Sequence, residues 1–226
     1  RSMSCYRFQF AGLPSSGKST IVTKLTALHP SKYRRGKIFV KQKKDLLNFK
    51  FITLLSFFDK SFLFFIVAAL KIMFVKKIAF SSLYDALVMT LYNIVNFKLD
   101  KNHDDGRIVL WDEYCVQRLF SLYGYIEHNS LEIEAINPQQ IYNSKKNSLI
   151  YLSLGNKFET RLFDRGLTDR MILLDGPNLR HVINSHKLLD KALLEKIECF
   201  FDVQGDIENV VRKIDNYISA FTQYGN

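Results

Sequence analysis

Cysteine is scarce and unpaired in this chain. The 226 residues hold only Cys5, Cys115 and Cys199, an odd number set inside apolar stretches, which excludes a disulfide framework and predicts reduced core residues. Long hydrophobic runs are missing too. Within the aromatic-rich stretch 46–80 the longest uncharged run is Ser61–Leu70, well short of the roughly 20 residues a membrane-crossing helix needs, and Lys71 interrupts any extension. Acids are outnumbered, 22 against 32 lysines and arginines, leaving a net charge of +10. The basic-aromatic modules of nucleic-acid readers are absent, so this charge reads first as affinity for phosphate, and nucleic acid is not expected as a partner. No repeats or low-complexity tracts occur, and the length suits one α/β domain. No secretory leader is legible in the opening residues, which with the cysteine usage predicts a cytoplasmic protein.

The chain is organised around Gly12-Leu13-Pro14-Ser15-Ser16-Gly17-Lys18-Ser19-Thr20, an ungapped match to the phosphate-binding pattern G-x-x-x-x-G-K-[ST]. Such a loop needs glycine where the backbone turns successive N–H groups inward around an anion. In that pattern Lys18 reaches the β- and γ-phosphates and the Ser19 hydroxyl ligates Mg2+. The helix that begins there points its positive end at the same charge. Gly12, Pro14, Ser15, Ser16, Gly17 and Thr20 complete the expected cradle. Its flanks agree, because Cys5–Ala11 alternates like a short buried strand and Ser19–Leu28 sets Ile21, Val22, Leu25 and Leu28 on one helical side. ATP with Mg2+ is the expected ligand.

After His29-Pro30, the basic run Ser31–Lys37 reads as a solvated loop, with contact to an acceptor as the alternative, before a short strand expected at Ile38-Phe39-Val40. Residues 46–80 read as two or three helices. Phe62, Phe65, Ile66 and Ala69 recur at helical spacing, which suits packing on neighbouring helices, a protein partner or a peripheral membrane contact through about residues 46–97. Ser81 or Ser82 is expected to cap a further helix, and Lys98–Arg107 to form a polar loop.

Ile108-Val109-Leu110-Trp111 is an apolar strand that delivers Asp112-Glu113 at its carboxyl end. Ligands bind at that edge of an open parallel sheet, so at least one of these acids is expected to order Mg2+ or take a proton from an attacking hydroxyl. Asp112 is the metal candidate. Arg118, on the following helix, is the candidate for acceptor binding, with an ion pair to Glu113 or Glu127 as its alternative. A polar connection over Leu131–Ser148, turning at Asn137-Pro138, leads to a strand at Leu149–Leu154. A helix over Asn156–Arg165 then puts Arg161 and Arg165 one turn apart, and Arg170 follows. Residues of about 157–175 are therefore expected to form a lid whose arginines close on transferring phosphoryl oxygens. Gly155-Asn156-Lys157-Phe158-Glu159 imitates the guanine-reading N-K-x-D loop, but Glu159 stands where aspartate is needed, which favours ATP over GTP. A helix at about Ser185–Ile197, a strand at Cys199–Val203 and an amphipathic helix at Ile207–Phe221 close the chain.

This order of P-loop, acid-ended strand, strand and arginine-rich segment resembles the thymidylate kinase-like group of P-loop kinases, which includes nucleoside and nucleotide kinases. The likeness covers both ends of the chain. It is most specific at Gly12–Thr20 and at Arg165-Gly166-Leu167-Thr168-Asp169-Arg170, which looks like the family's lid segment. The resemblance implies an α/β three-layer sandwich over residues 1–226, with a five-stranded parallel sheet of order 2-3-1-4-5, helices on both faces and a helical acceptor-side insertion at about 41–100. It implies an ATP-dependent kinase in which Lys18, Ser19, Arg161, Arg165 and Arg170 engage the nucleotide and a small molecule accepts the phosphoryl group. Where the family writes Asp-Arg or Glu-Arg, this chain has Asp112-Glu113. A carboxylate in place of that arginine repels a monophosphate unless Arg118 compensates, so an acceptor with a free hydroxyl is expected, whether nucleoside, sugar or lipid-linked. A homodimer, and a regulatory ATPase that recruits a protein or membrane, stay open as alternatives.

Overall fold

The computed structural model describes residues 6–224 except 77–79, 104, 113, 125–135, 137, 139–146, 168 and 175. Five strands form one sheet: β1 (Arg7–Gly12), β2 (Tyr33–Arg35), β3 (Ile108–Trp111), β4 (Asn147–Ser153) and β5 (Phe200–Asp202). Their order is β2-β3-β1-β4-β5 and every pairing is parallel, the sheet order expected from the sequence. A central strand of such a sheet is covered on both faces, and all six residues of β1 are buried. Successive side chains of a strand point to opposite faces. Phe8 meets Phe221 of the last helix edge to face, while the Arg7 guanidinium lies over the Phe97 ring, so the helices carrying those rings form opposite layers.

One layer holds α1 (Lys18–Leu28) and the closing helix α10 (Ile207–Tyr224), which pack on each other. The other holds α5 (Phe80–Lys101), α6 (Arg118–Tyr123) and α9 (Gly176–Leu194). Between β2 and β3, α2 (Lys43–Asn48), α3 (Lys50–Phe57) and α4 (Lys60–Lys76) form the helical insertion, with α3 and α4 both laid on α5. The remaining α-helices among the described residues are α7 (Phe158–Arg165) and α8 (Asp169–Ile172). Phe62, Phe65 and Ala69 are buried, so the stripe singled out in the sequence is the core face of α4.

The second strand lies earlier than expected. Tyr33–Arg35, in the middle of the run taken for a solvated loop, pairs with β3, and Arg34 is buried. Ile38–Val40 is no strand, because its backbone finds a side chain as partner. Asn96 of α5 accepts from the Phe39 and Val40 N–H groups, each at 2.7 Å, and donates back to the Val40 carbonyl at 3.0 Å. One carboxamide thus satisfies the groups that a neighbouring strand would take.

Other boundaries shift for local reasons. The helix expected to be capped by Ser81 or Ser82 already begins at Phe80 and runs to Lys101, into the expected polar loop. The helix expected from Ser185 starts nine residues earlier at Gly176, with Pro177 in its first turn, where a missing N–H costs nothing. Most of the Leu131–Ser148 connection lies outside the described residues.

Beneath β4, the Tyr151 hydroxyl donates to the buried Asp190 carboxylate of α9 at 2.6 Å. Burial pushes the Asp190 carboxyl up to about 6, against the opposing pull of that hydrogen bond. An acid raised on folding contributes its full stability below its unfolded pKa of about 4 and loses it as pH rises through about 6. Asp190→Asn keeps an acceptor for Tyr151 and removes the charge. Urea unfolding should therefore show the variant gaining about 2–3 kcal/mol on the wild type between pH 4 and pH 7. Parallel stability profiles over that range would contradict this.

Candidate functional site

Parallel strands bring all their carboxyl ends to one edge. There the structure gathers the Gly12–Lys18 loop after β1, Arg35 at the end of β2, Asp112 after β3, the helical turn Gly155–Lys157 after β4 and Val203-Gln204 after β5. The β1 loop has the backbone its sequence demands. Gly12, Ser15 and Gly17 take φ of 146°, 66° and 82°. At Gly12 glycine is obligatory on two counts, since a Cβ would also stand 2.3 Å from the Leu152 carbonyl oxygen. Gly17 then opens α1 as its N-cap, so the positive end of that helix adjoins the loop.

Lys18 is buried, and its ammonium is folded back over the loop. It donates to the Gly12 carbonyl at 3.3 Å, the Leu13 carbonyl at 3.0 Å and the Ser16 hydroxyl at 3.2 Å. Those bonds hold a positive charge over the concave side of the turn. Ser16 is buried, Pro14 and Ser15 are half-buried at the crown, Ser19 is exposed and Thr20 half-buried. A contact the sequence did not announce braces the loop from β3: the Gln117 side-chain oxygen accepts from the Gly12 N–H at 3.2 Å. Gln117 belongs to the short turn Cys115–Gln117, which follows Trp111 and Tyr114, whose rings pack on each other and on Phe97.

Asp112 is ion-paired with the exposed Arg35 across the β2–β3 pairing. Nothing in the basic run 31–37 distinguishes Arg35 from its neighbours; only the register of a three-residue strand places it beside the acid. Glu113 lies outside the described residues. Arg118 is half-buried at the start of α6. Among the described residues no cluster of three or more His, Cys, Asp or Glu could hold a metal unaided.

The arginines on the expected lid have separate surroundings. Arg161 is half-buried and donates to the Val203 carbonyl at 2.8 Å, which ties α7 to the loop after β5. Arg165 is exposed at the end of α7, where Gly166 takes φ 88° and breaks the helix. Arg170 lies in α8, and its side chain is outside the described ones. The GTPase-like loop is occupied otherwise: Phe158 is buried, Lys157 donates to the Gln204 carbonyl at 3.1 Å, and Glu159 pairs with Lys187 of α9. Its acid is turned to a neighbouring helix.

Fold and loop together define an α/β protein with a five-stranded parallel sheet and a loop of the G-x-x-x-x-G-K-[ST] pattern at its carboxyl edge. Solved structures similar to this chain include the deoxyadenosine kinase of M. mycoides with bound dATP, at 14% identity and a TM-score of 0.49, covering 95% of this chain and 99% of that one. The same enzyme with products dCMP and a flexible dCDP matches at 12% identity and a TM-score of 0.49 over the same shares. The YorR protein of Bacillus subtilis, in complex with phosphorylated GDP, matches at 13% identity and a TM-score of 0.41, over 94% of this chain and 95% of that one. At these identities and TM-scores, neither a family nor any residue's role is taken from the likeness. No family model matches the sequence. No curated protein matches it either.

Proposed function

We propose that the protein is an ATP-dependent phosphotransferase that moves the γ-phosphoryl group to a small hydroxyl-bearing acceptor of the nucleoside or sugar type. The observation that carries this reading is the loop Gly12–Thr20, with three positive-φ residues, a buried lysine above them and a helix N-terminus behind, on the same sheet edge as Asp112. In this reading the loop N–H groups and Lys18 hold the β- and γ-phosphates, so charge that develops on transfer meets donors already in place. Ser19 and Asp112 would hold Mg2+, which when bound neutralises phosphate charge. Asp112 or Glu113 takes the acceptor's proton. Arg161, Arg165 and Arg170 close over the nucleotide from the β5 side.

Arg35 sharpens the acceptor half. With an acid at position 113, the cation that would meet the acceptor comes from β2 instead, where Arg35 already neutralises Asp112. Arg118 flanks the same edge. The test is a screen of ATP against nucleosides, nucleoside monophosphates and sugars, reading thermal stabilisation and transfer of labelled γ-phosphate. Transfer to one hydroxyl class supports the reading. Hydrolysis alone across the whole panel would favour a second reading, a nucleotide-regulated module that recruits a partner, which the exposed apolar side of α3 and α4 supports.

A further inference from the structure

We infer that the outer side of the α3–α4 pair docks on an anionic lipid bilayer surface. Along α3 and its end, Phe51, Leu54, Leu55 and Phe58 recur at one-face helical spacing and are exposed, Phe51 by 73% and Phe58 by 72%. Along α4 the exposed stripe is Leu63, Val67, Leu70 and Phe74, the last by 74%. The opposite side of α4, with Phe62, Phe65, Ala69 and Ile72, is buried in the core. α4 is thus apolar on two sides while having only one core to face, and α3 exposes its apolar residues. Large exposed apolar surface of this kind marks a contact site.

Charge selects the occupant. Lys50, Lys60 and Lys71 border the stripes by helical spacing and are exposed, and Lys41, Lys43 and Lys44, at the start of the same insertion, are exposed as well. The segment 41–74 holds two acids, and both are engaged by other groups of the chain. Asp45 accepts from the Lys41 and Gln42 N–H groups at the start of α2. Asp59 accepts from the Ser61 N–H at the start of α4 and pairs with Lys98 of α5. Phe and Leu on one side with lysines at the rim is the composition of helices that lie in the plane of a membrane interface. A second copy of the chain fits less well. A two-fold contact sets a patch against itself, which here brings lysine to lysine, and lysine is depleted from protein interfaces.

The geometry suits lying on the bilayer and not crossing it. No single described helix is long and apolar enough to cross a membrane. Lys50–Phe57 and Lys60–Phe74 reach that length and composition only together, across a 60° bend, and the inner side of α4 is already committed to the core.

The full chain should sediment with phosphatidylcholine vesicles that contain phosphatidylserine, far less with phosphatidylcholine alone, and less at high salt. Phe58→Glu with Phe74→Glu should weaken binding by at least about tenfold. Lys60→Gln with Lys71→Gln should weaken it only for the serine-containing vesicles. Circular dichroism checks that these surface variants stay folded, and Lys18→Ala, remote from this side, should bind like the wild type. Absence of wild-type binding to the serine-containing vesicles overturns the inference, as does binding that survives both glutamates. A dimer in sedimentation velocity that the glutamates dissociate reassigns this side to a second copy. None of these outcomes depends on phosphotransfer.

Discussion

If the protein is the phosphotransferase proposed above, Lys18→Ala should lower γ-phosphoryl transfer by at least about a hundredfold while the protein stays folded. Loss of one prepositioned donor to developing charge costs about 10²–10³ in rate, and Lys18 supplies a full charge as well. Its present partners are two loop carbonyls and the Ser16 hydroxyl. Those groups sit at the sheet edge, where water can replace the ammonium, so thermal unfolding should shift by only a few degrees. Lys18→Arg tests position against charge: it keeps the cation, yet its larger planar head does not fit the pocket between Gly12, Leu13 and Ser16. Full activity in Lys18→Ala would remove this loop from the chemistry.

The second large effect concerns stability. Arg34 of β2 and Asp100 of α5 form a buried ion pair at 2.7 Å, with side chains 5% and 0% exposed. The guanidinium also donates to Asp105 and to the His103 carbonyl, and Asp100 accepts from the Lys37 N–H. This network fastens β2, a three-residue edge strand, to the end of α5. Asp100→Ala leaves Arg34 inside without its closest counter-charge, a defect that costs about 3–5 kcal/mol and lowers the melting temperature of a domain this size by about 10 °C. Arg34→Met combined with Asp100→Leu restores most of the loss, because a packed apolar pair needs no charge compensation. A melting temperature for Asp100→Ala within about 2 °C of the wild type would contradict the assignment.

These two sites show what a sequence can and cannot announce. The phosphate loop was legible because its constraints are local: glycine where φ is positive, lysine and a hydroxyl at fixed spacing, a strand before and a helix after. The same holds for β4, β5 and α10, whose periodicity is long or whose composition is strongly apolar. β2 was not legible. It is three residues long and basic, and what holds it is Asp100, 66 positions away. Ile38–Val40 looked like a strand because it is β-branched and aromatic, yet its backbone is satisfied by Asn96 from a helix. Arg35 beside Asp112 followed from that register alone, and Gln117 on the Gly12 N–H joins residues 105 positions apart. The stripe of aromatic residues on α4 was visible as periodicity, but which side faces the core was decided by α5.

Calorimetric titration of the full chain with MgATP tests nucleotide binding at Gly12–Thr20 most directly. One saturable site per chain, lost or weakened at least about tenfold in Lys18→Ala, is the expected result. Absence of saturable binding of either MgATP or MgGTP to the folded wild type, or binding equal in wild type and Lys18→Ala, would contradict it.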